Sequence, residues 1–377
     1  MKVLFLIESL GRGGAEQVLA NTLPELQTLG CECEVATLFE RHDLADQLER
    51  KGIAVHRLNL SYKWNVIEAL YKLRRLLKKG DYDLIHAHLF FAYLYAGLIK
   101  VFHPQVKTLT TFHNLGYDTY PADTLWKRIR KGMDAYVVNH LIDGKVAVST
   151  AVQRHFAEHL RIPYLDVIHN STPVNRIGTA LIADHRECLS IYIDTGPFTC
   201  FSITPGRLVK EKGHKYLIEA LQQLQQSCPA LCHLIVGSGP LATEIEQWIS
   251  ERNLANVVLI PALEQLRLFR LIKTCDFVVV PSVSEGFGMV IIEAMALGRA
   301  IIATDISGID ELVQNDKTGV LVPASNGEAL AAAMKTLCED HDQRRRLAEA
   351  ALRDCTRFDT ASIGKQWQSY YQTMVRC

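Results

Sequence analysis

The sequence has no run of the roughly 18 apolar residues that a membrane-spanning helix needs, which excludes such a helix. It has no excess of either charge, since 41 Lys and Arg balance 41 Asp and Glu. Bulk electrostatics therefore gives no reason to expect a nucleic-acid partner. Its ten cysteines include no C-x-x-C pair, and Cys31 and Cys33 alternate along one face of a strand. That pattern argues against zinc and disulfides and for free buried thiols in a reducing cytoplasm. Low-complexity tracts and short-period repeats are also missing, so no solenoid is expected. The N-terminal apolar run Val3–Ile7 stops at Glu8, too short for a signal peptide and suited to a strand.

What is present is a chain of 377 residues, 48% hydrophobic and 22% charged, a soluble globular composition too long for one ordinary core. Short β-branched runs alternate with longer amphipathic ones. The expected strands are Lys2–Ile7, Cys33–Leu38, Ala54–Leu58, Leu84–His88, Val106–Phe112, Lys145–Val148 and Asp166–Ile168. After a weakly periodic stretch at 171–199, the pattern restarts with Thr199–Thr204, His233–Val236, Val257–Ile260, Phe277–Val280, Ala300–Ala303 and Gly319–Val322. Helical patterns lie between them, among them Glu16–Leu29, Val66–Lys79, Phe91–Val101 and residues 213–226, 240–252, 264–273, 288–297 and 326–338. Such alternation predicts an α/β class with parallel sheets covered by helices on both faces. The stretch 171–199 reads as a linker with a helix leading into a second domain, and Ala361–Met374 as a terminal helix.

In open parallel sheets, ligands bind beyond the carboxyl ends of the strands. Polar residues and glycines gather there: Gly11–Gly14 and Glu16, His113 and Asn114, Gly206 and Arg207 with Lys210, Lys212 and Gly213, then Gly237–Gly239 and Ser307–Gly308. The richest segment is Glu285–Glu293, with two carboxylates eight positions apart around a Gly turn between strand and helix. Amides at that helix start suit a phosphate, and a carboxylate on each side suits hydroxyls, which together fit a sugar nucleotide. If the helix begins near Gly288, Glu293 lies roughly 7.5 Å along it, so the two carboxylates address different hydroxyls. Arg207 and Lys212 offer fixed positive charge for a diphosphate. Asp81 and Asp83 form a D-x-D pair but precede a strand, on the wrong side for a ligand site. His86 and His88 read as structural.

These motifs in this order resemble the retaining glycosyltransferases of family 4. The matching segments are Gly11–Glu16, Asp83–His88, Thr111–Asn114, Ala147–Ser149 and Val167–Asn170, then Gly206–Gly213, Gly237–Pro240, Pro281–Glu293 and Gly319–Pro323. The resemblance implies a GT-B fold: two Rossmann-like doubly wound parallel-sheet domains facing across a cleft, with a C-terminal helix crossing back to the N-terminal domain. The expected boundaries are 1–175 for the acceptor domain, 176–355 for the donor domain and 356–377 for that helix. It implies catalytic roles for His113, Glu285, Arg207 and Lys212. Arg207 and Lys212 would bind the donor diphosphate, Glu293 the ribose and Glu285 the transferred sugar. Backbone at Gly286, Phe287, Gly288, Met289 and Val290 would contact sugar and phosphate. Gly13 and Gly14 would let the backbone approach the phosphates, and His113 would lie near the anomeric carbon. Gly237 and Leu263 belong to the implied donor site, with base contacts near Pro261–Leu263. The chain departs from the family pattern at Ser171–Val174, at Pro205 and at the single Gly308.

The implied reaction moves a hexose-type sugar from a nucleotide diphosphate sugar, UDP being the first base to test, to a glycan or lipid-linked acceptor. Anomeric configuration is kept, and no metal or other cofactor is expected. A nucleotide-sugar epimerase or hydrolase of the same fold is the alternative. The protein would be cytoplasmic. Two basic-aromatic stretches, Tyr62–Lys79 and Trp126–Lys131, could rest on an anionic membrane surface at the inner face of the cytoplasmic membrane.

Overall fold

A computed structural model describes residues 1–11, 13–119, 124–174, 177, 187–193 and 195–376. The chain forms two compact units, one of Met1–Thr172 with Thr360–Cys377 and one of Pro173–Asp359. The linker and helix expected within 171–199 lie largely outside the described residues.

Seven parallel strands build the sheet of the first unit: β1 (Lys2–Ile7), β2 (Glu32–Thr37), β3 (Ala54–Arg57), β4 (Leu84–His88), β5 (Lys107–Phe112), β6 (Gly144–Ala147) and β7 (Asp166–Val167). Their order is β3-β2-β1-β4-β5-β6-β7. Side chains alternate across the pleat, so β1 feeds two cores. Val3, Phe5 and Ile7 pack with Leu23, Leu26, Ile363, Trp367 and Tyr371 of helices Gly14–Thr28 and Thr360–Arg376. Leu4 and Leu6 are equally buried toward the other face, where helix Phe90–Lys100 packs across β1, β4 and β5. The terminal helix is fixed to the sheet by a 2.8 Å hydrogen bond between Tyr371 Oη and His86 Nδ1. Helix starts follow the local sequence. Asn65 accepts from the Glu68 N–H at 3.2 Å and Ser149 from the Val152 N–H at 3.1 Å, each satisfying an amide the helix leaves unpaired.

The second unit has six parallel strands: β8 (Cys200–Pro205), β9 (Leu231–Val236), β10 (Val257–Ile260), β11 (Phe277–Val280), β12 (Ala300–Thr304) and β13 (Val320–Val322). Their order is β10-β9-β8-β11-β12-β13. Every residue of β9, β11 and β12 is buried, as a sheet covered on both faces requires.

The architecture is thus the expected one: two doubly wound α/β sheets, with the last helix returning to the first. Each of the thirteen strands read from the sequence occurs, with ends within two residues. In both sheets the order reverses beside the first strand, between β1 and β4 and between β8 and β11. Ligand crevices in such sheets open beyond the carboxyl ends at these reversals, and the candidate residues are to be sought there. Cys31, Cys33, Cys200, Cys228, Cys232, Cys275, Cys338 and Cys355 are free and buried.

Candidate functional site

In the second unit, the ends of β8 and β11 carry the acidic and basic residues together. Lys210–Lys212 form a single 3-10 turn after β8, closed by Gly213. Gly213 has φ +67°, and a Cβ there would lie 1.9 Å from the Pro281 carbonyl oxygen. Only glycine lets this turn sit so close to the segment after β11. The Val283 N–H donates to the Glu211 carbonyl at 2.8 Å, which fixes the two loops in register. That contact brings Lys212 Nζ into an ion pair with Glu285, whose carboxylate also accepts from Ser282 Oγ at 3.4 Å. Arg207, at the end of β8, is exposed and pairs with no carboxylate among the described residues. Its carbonyl is within 3.2 Å of His214 Nε2.

Gly286, Phe287 and Gly288 are buried, and the Phe287 ring meets Phe358 edge-on at 5.8 Å. Gly288, at φ +85°, starts helix Met289–Ala296 without a side-chain cap. The first amides of a helix have no intrahelical partner, and here those are the amides of Met289 and Val290. Gly308 (φ +92°) packs against the same loop, where a Cβ would meet the Glu285 carbonyl at 2.6 Å.

Glu293 projects from the middle of this helix. Burial pushes its carboxyl up to about 7, against a hydrogen bond from the Gln265 side chain that favours the charged form. Gln265 opens helix Gln265–Thr274, two residues after half-buried Leu263. The segment expected near the base is therefore linked to the carboxylate expected on the ribose. Gly237 has a different reason for its size: a Cβ would lie 1.8 Å from the Gly206 carbonyl oxygen, so it allows the β8 and β9 ends to touch.

In the first unit, Gly13 caps helix Gly14–Thr28 with extended backbone. A Cβ on Gly13 would meet the Glu16 carboxylate at 2.4 Å, whereas one on Gly14 would meet nothing within 4 Å. Burial raises the Glu16 carboxyl, with Arg41 acting against the rise. Glu8, after β1, accepts the Phe91 N–H at 3.0 Å.

His113, after β5, is held by His88 of β4, with 2.9 Å between His88 Nδ1 and His113 Nε2. Burial lowers the His113 imidazolium to about 4, and burial also holds His88 well below its ordinary value. Both rings are therefore neutral near pH 7, and one proton lies between them. The outer nitrogens, His113 Nδ1 and His88 Nε2, are buried without partners. One of them must be an N–H and the other a lone pair. His88, expected to be structural, is buried as that reading requires, and the pairing of β4 with β5, which sets it beside Thr111, brings it against His113. Sequence reasoning missed Gln265, which no motif marks.

Asp118, His155 and His159 bring ligand-type atoms within 4.8 Å of one another. However, His155 Nε2 accepts the Tyr117 N–H at 3.0 Å. The ring proton must then sit on Nδ1, 3.4 Å from Asp118, so this imidazole is occupied as an internal hydrogen-bond relay. Asp83 accepts the Lys2 N–H at 2.7 Å at the amino end of β4, far from the carboxyl edge.

Comparison with known proteins gives matches along most of the chain. A family described as "Glycosyltransferase Family 4" matches residues 12–176, and one described as "Glycosyl transferases group 1" matches residues 199–354. The O-antigen chain mannosyltransferase C of Escherichia coli is 26% identical over 90% of this chain and 89% of its own length. The N-acetylgalactosamine-N,N'-diacetylbacillosaminyl-diphospho-undecaprenol 4-alpha-N-acetylgalactosaminyltransferase of Campylobacter jejuni is 33% identical over 45% of this chain and 46% of its own. The crystal structure of Anabaena HepE in complex with UDP-glucose superposes with a TM-score of 0.85, at 24% identity, over 99% of this chain and 100% of that one.

Proposed function

Because the chain belongs to the group 1 and family 4 glycosyltransferases of GT-B fold, we propose that it is a retaining, metal-independent hexosyltransferase. Its donor is a nucleotide diphosphate sugar, with UDP as the first candidate, and its acceptor is a hydroxyl of a glycan or a lipid-linked glycan. The observation that carries this reading is the placement of charge at the β8–β11 reversal. Exposed Arg207, Lys212 in its ion pair with Glu285 and an uncapped helix start all follow the neighbouring strands β8 and β11 at that reversal. A diphosphate leaving group gathers negative charge as the glycosidic bond breaks, and preorganised cations and amides stabilise it without reorganising. Two relatives favour the same chemistry: HepE binds UDP-glucose in its crystal structure, and the Campylobacter enzyme is a 4-alpha-N-acetylgalactosaminyltransferase acting on a diphospho-undecaprenol-linked sugar.

The residues then divide the work. Arg207 engages phosphate oxygens, and Lys212 shares its charge between Glu285 and the phosphate. Glu293 accepts ribose hydroxyls, while Glu285 accepts hydroxyls of the transferred sugar. Glu285 is a poor candidate for a covalent nucleophile, because Lys212 and Ser282 already occupy one oxygen. The acceptor oxygen bonds to the anomeric carbon on the face the phosphate leaves. The departing phosphate oxygen takes the acceptor's proton, so charge and atoms balance within the donor–acceptor pair. The His88–His113 pair supplies one hydrogen-bond donor and one acceptor on the acceptor side.

Thermal shift against UDP, GDP and ADP tests the donor. A ligand at 100 times its dissociation constant adds about 2.7 kcal/mol. No shift with any of the three would sink the donor assignment, and a product of inverted anomeric configuration by NMR would sink retention.

A further inference from the structure

We propose that the outward faces of helices Val66–Gly80 and Leu125–His140 form one docking surface for an anionic lipid bilayer, beside the acceptor side of the first unit. This rests on the glycosyltransferase reading and narrows its acceptor to one presented at a membrane surface.

No helix among the described residues is long and apolar enough to cross a membrane. These two helices instead carry further apolar residues on the side away from the core. Helix Val66–Gly80 buries Ala69, Leu73 and Leu77. Ile67 and Tyr71, about half a turn around, are 83% and 67% exposed. Helix Leu125–His140 buries Asp134, Val137 and Val138 and exposes Leu125 by 74% and Trp126 by 79%. Ile129 and Tyr136 extend that outer stripe.

Charge complementarity chooses the occupant. Arg74, Arg75, Lys78, Lys79 and Arg128 are exposed and pair with no carboxylate among the described residues. The one acid on the outer part of helix Val66–Gly80, Glu68, is already bound by Lys72 at 2.6 Å. Exposed aromatic and aliphatic residues ringed by unpaired Arg and Lys match the boundary between acyl chains and anionic headgroups. A protein partner or a second copy would need matching acids, which this face does not offer to itself.

The two helices belong to one surface. Both pack against helix Phe90–Lys100. At its start the two basic-aromatic stretches converge on a single ring: Trp64 lies 6.1 Å from Phe90, and the Arg130 guanidinium stacks over the same ring at 4.0 Å. Phe90 follows β4 by two residues, and β4 ends at His88, the partner of His113. The lipid-facing patch therefore reaches the sheet edge that carries the acceptor-side histidines.

The test is co-flotation of the full chain with vesicles of phosphatidylcholine containing 30% phosphatidylglycerol, compared with phosphatidylcholine alone. Binding to the anionic vesicles alone, weakened by salt, is expected. The triple variant Arg74→Glu, Arg75→Glu, Arg128→Glu should lower partitioning by about 100-fold. The pair Ile67→Ser, Trp126→Ser should lower it at unchanged charge. Both variants should keep the wild-type thermal shift with UDP, which shows that they are folded and loaded. Equal binding to neutral and anionic vesicles, no binding to either, or self-association lost in the same variants would overturn the proposal. A wild-type chain that floats but binds no nucleoside diphosphate would instead overturn the glycosyltransferase reading.

Discussion

Glu293→Gln should make the unliganded second unit more stable at pH 8, while weakening nucleotide binding. Burial raises the Glu293 carboxyl from 4.5 to about 7 in the folded chain. Between those values the unfolded chain has released the proton and the folded chain still holds it. Stability must therefore fall as pH rises from about 4.5 to about 7, and the full cost persists above. A tenfold change in acidity is worth about 1.4 kcal/mol, so the rise from 4.5 to about 7 sets a ceiling of about 3 kcal/mol. The side chain keeps some contact with solvent, so a gain of about 1–3 kcal/mol is expected at pH 8, shrinking toward zero near pH 4.5. Gln keeps the shape and can still bond Gln265, but it has no charge to desolvate. Hydrogen exchange of β11 and β12 amides reads the opening of this unit by itself. Equal protection of wild type and variant at pH 8, or a gain that does not depend on pH, would refute the argument. The same carboxylate should be ionised to accept ribose hydroxyls. Nucleotide affinity of the wild type should therefore weaken as pH drops below 7, a trend absent in the variant.

Three further outcomes follow from the site. Arg207→Ala should cut turnover by at least 100-fold in a donor-saturated assay, and near-normal turnover would contradict its role on the leaving group. Gly213→Ala, facing the Pro281 carbonyl at 1.9 Å, should cost more than about 2 kcal/mol in the second unit and separate Lys212 from Glu285; calorimetry decides. His113, with its imidazolium lowered to about 4, should stay neutral from pH 5 to 8, so an acid limb of turnover in that range that vanishes in His113→Gln would disprove its neutrality.

Much of this was legible because parallel sheets covered on both faces write their strands as short, nearly continuous apolar runs. Phe277–Val280 and Leu84–His88 were read to the residue. The candidate donor residues were legible for a related reason: they follow single strands, so Arg207, Lys212 and Glu285 are marked by local Gly turns. Helix His341–Asp354 escaped because its charged sequence buries only Arg344, Leu347 and Ala351, too thin an apolar stripe to see. Gln265 and the contact of His88 with His113 escaped for another reason. Both depend on which strand or helix comes to lie alongside, and no periodicity in one segment records its neighbour.

The C-terminal helix gives the two units different histories during synthesis. The second unit is one continuous segment, Pro173–Asp359, and can close its sheet as soon as it emerges. The first must wait, because Ile363, Trp367 and Tyr371 of its core are made only after the whole second unit. Until Tyr371 reaches His86, the histidines of β4 have no floor beneath them. Nascent chains stalled before Thr360 should therefore show a protease-resistant second unit and an open first one, so that the histidines of β4 settle only after the second sheet has closed.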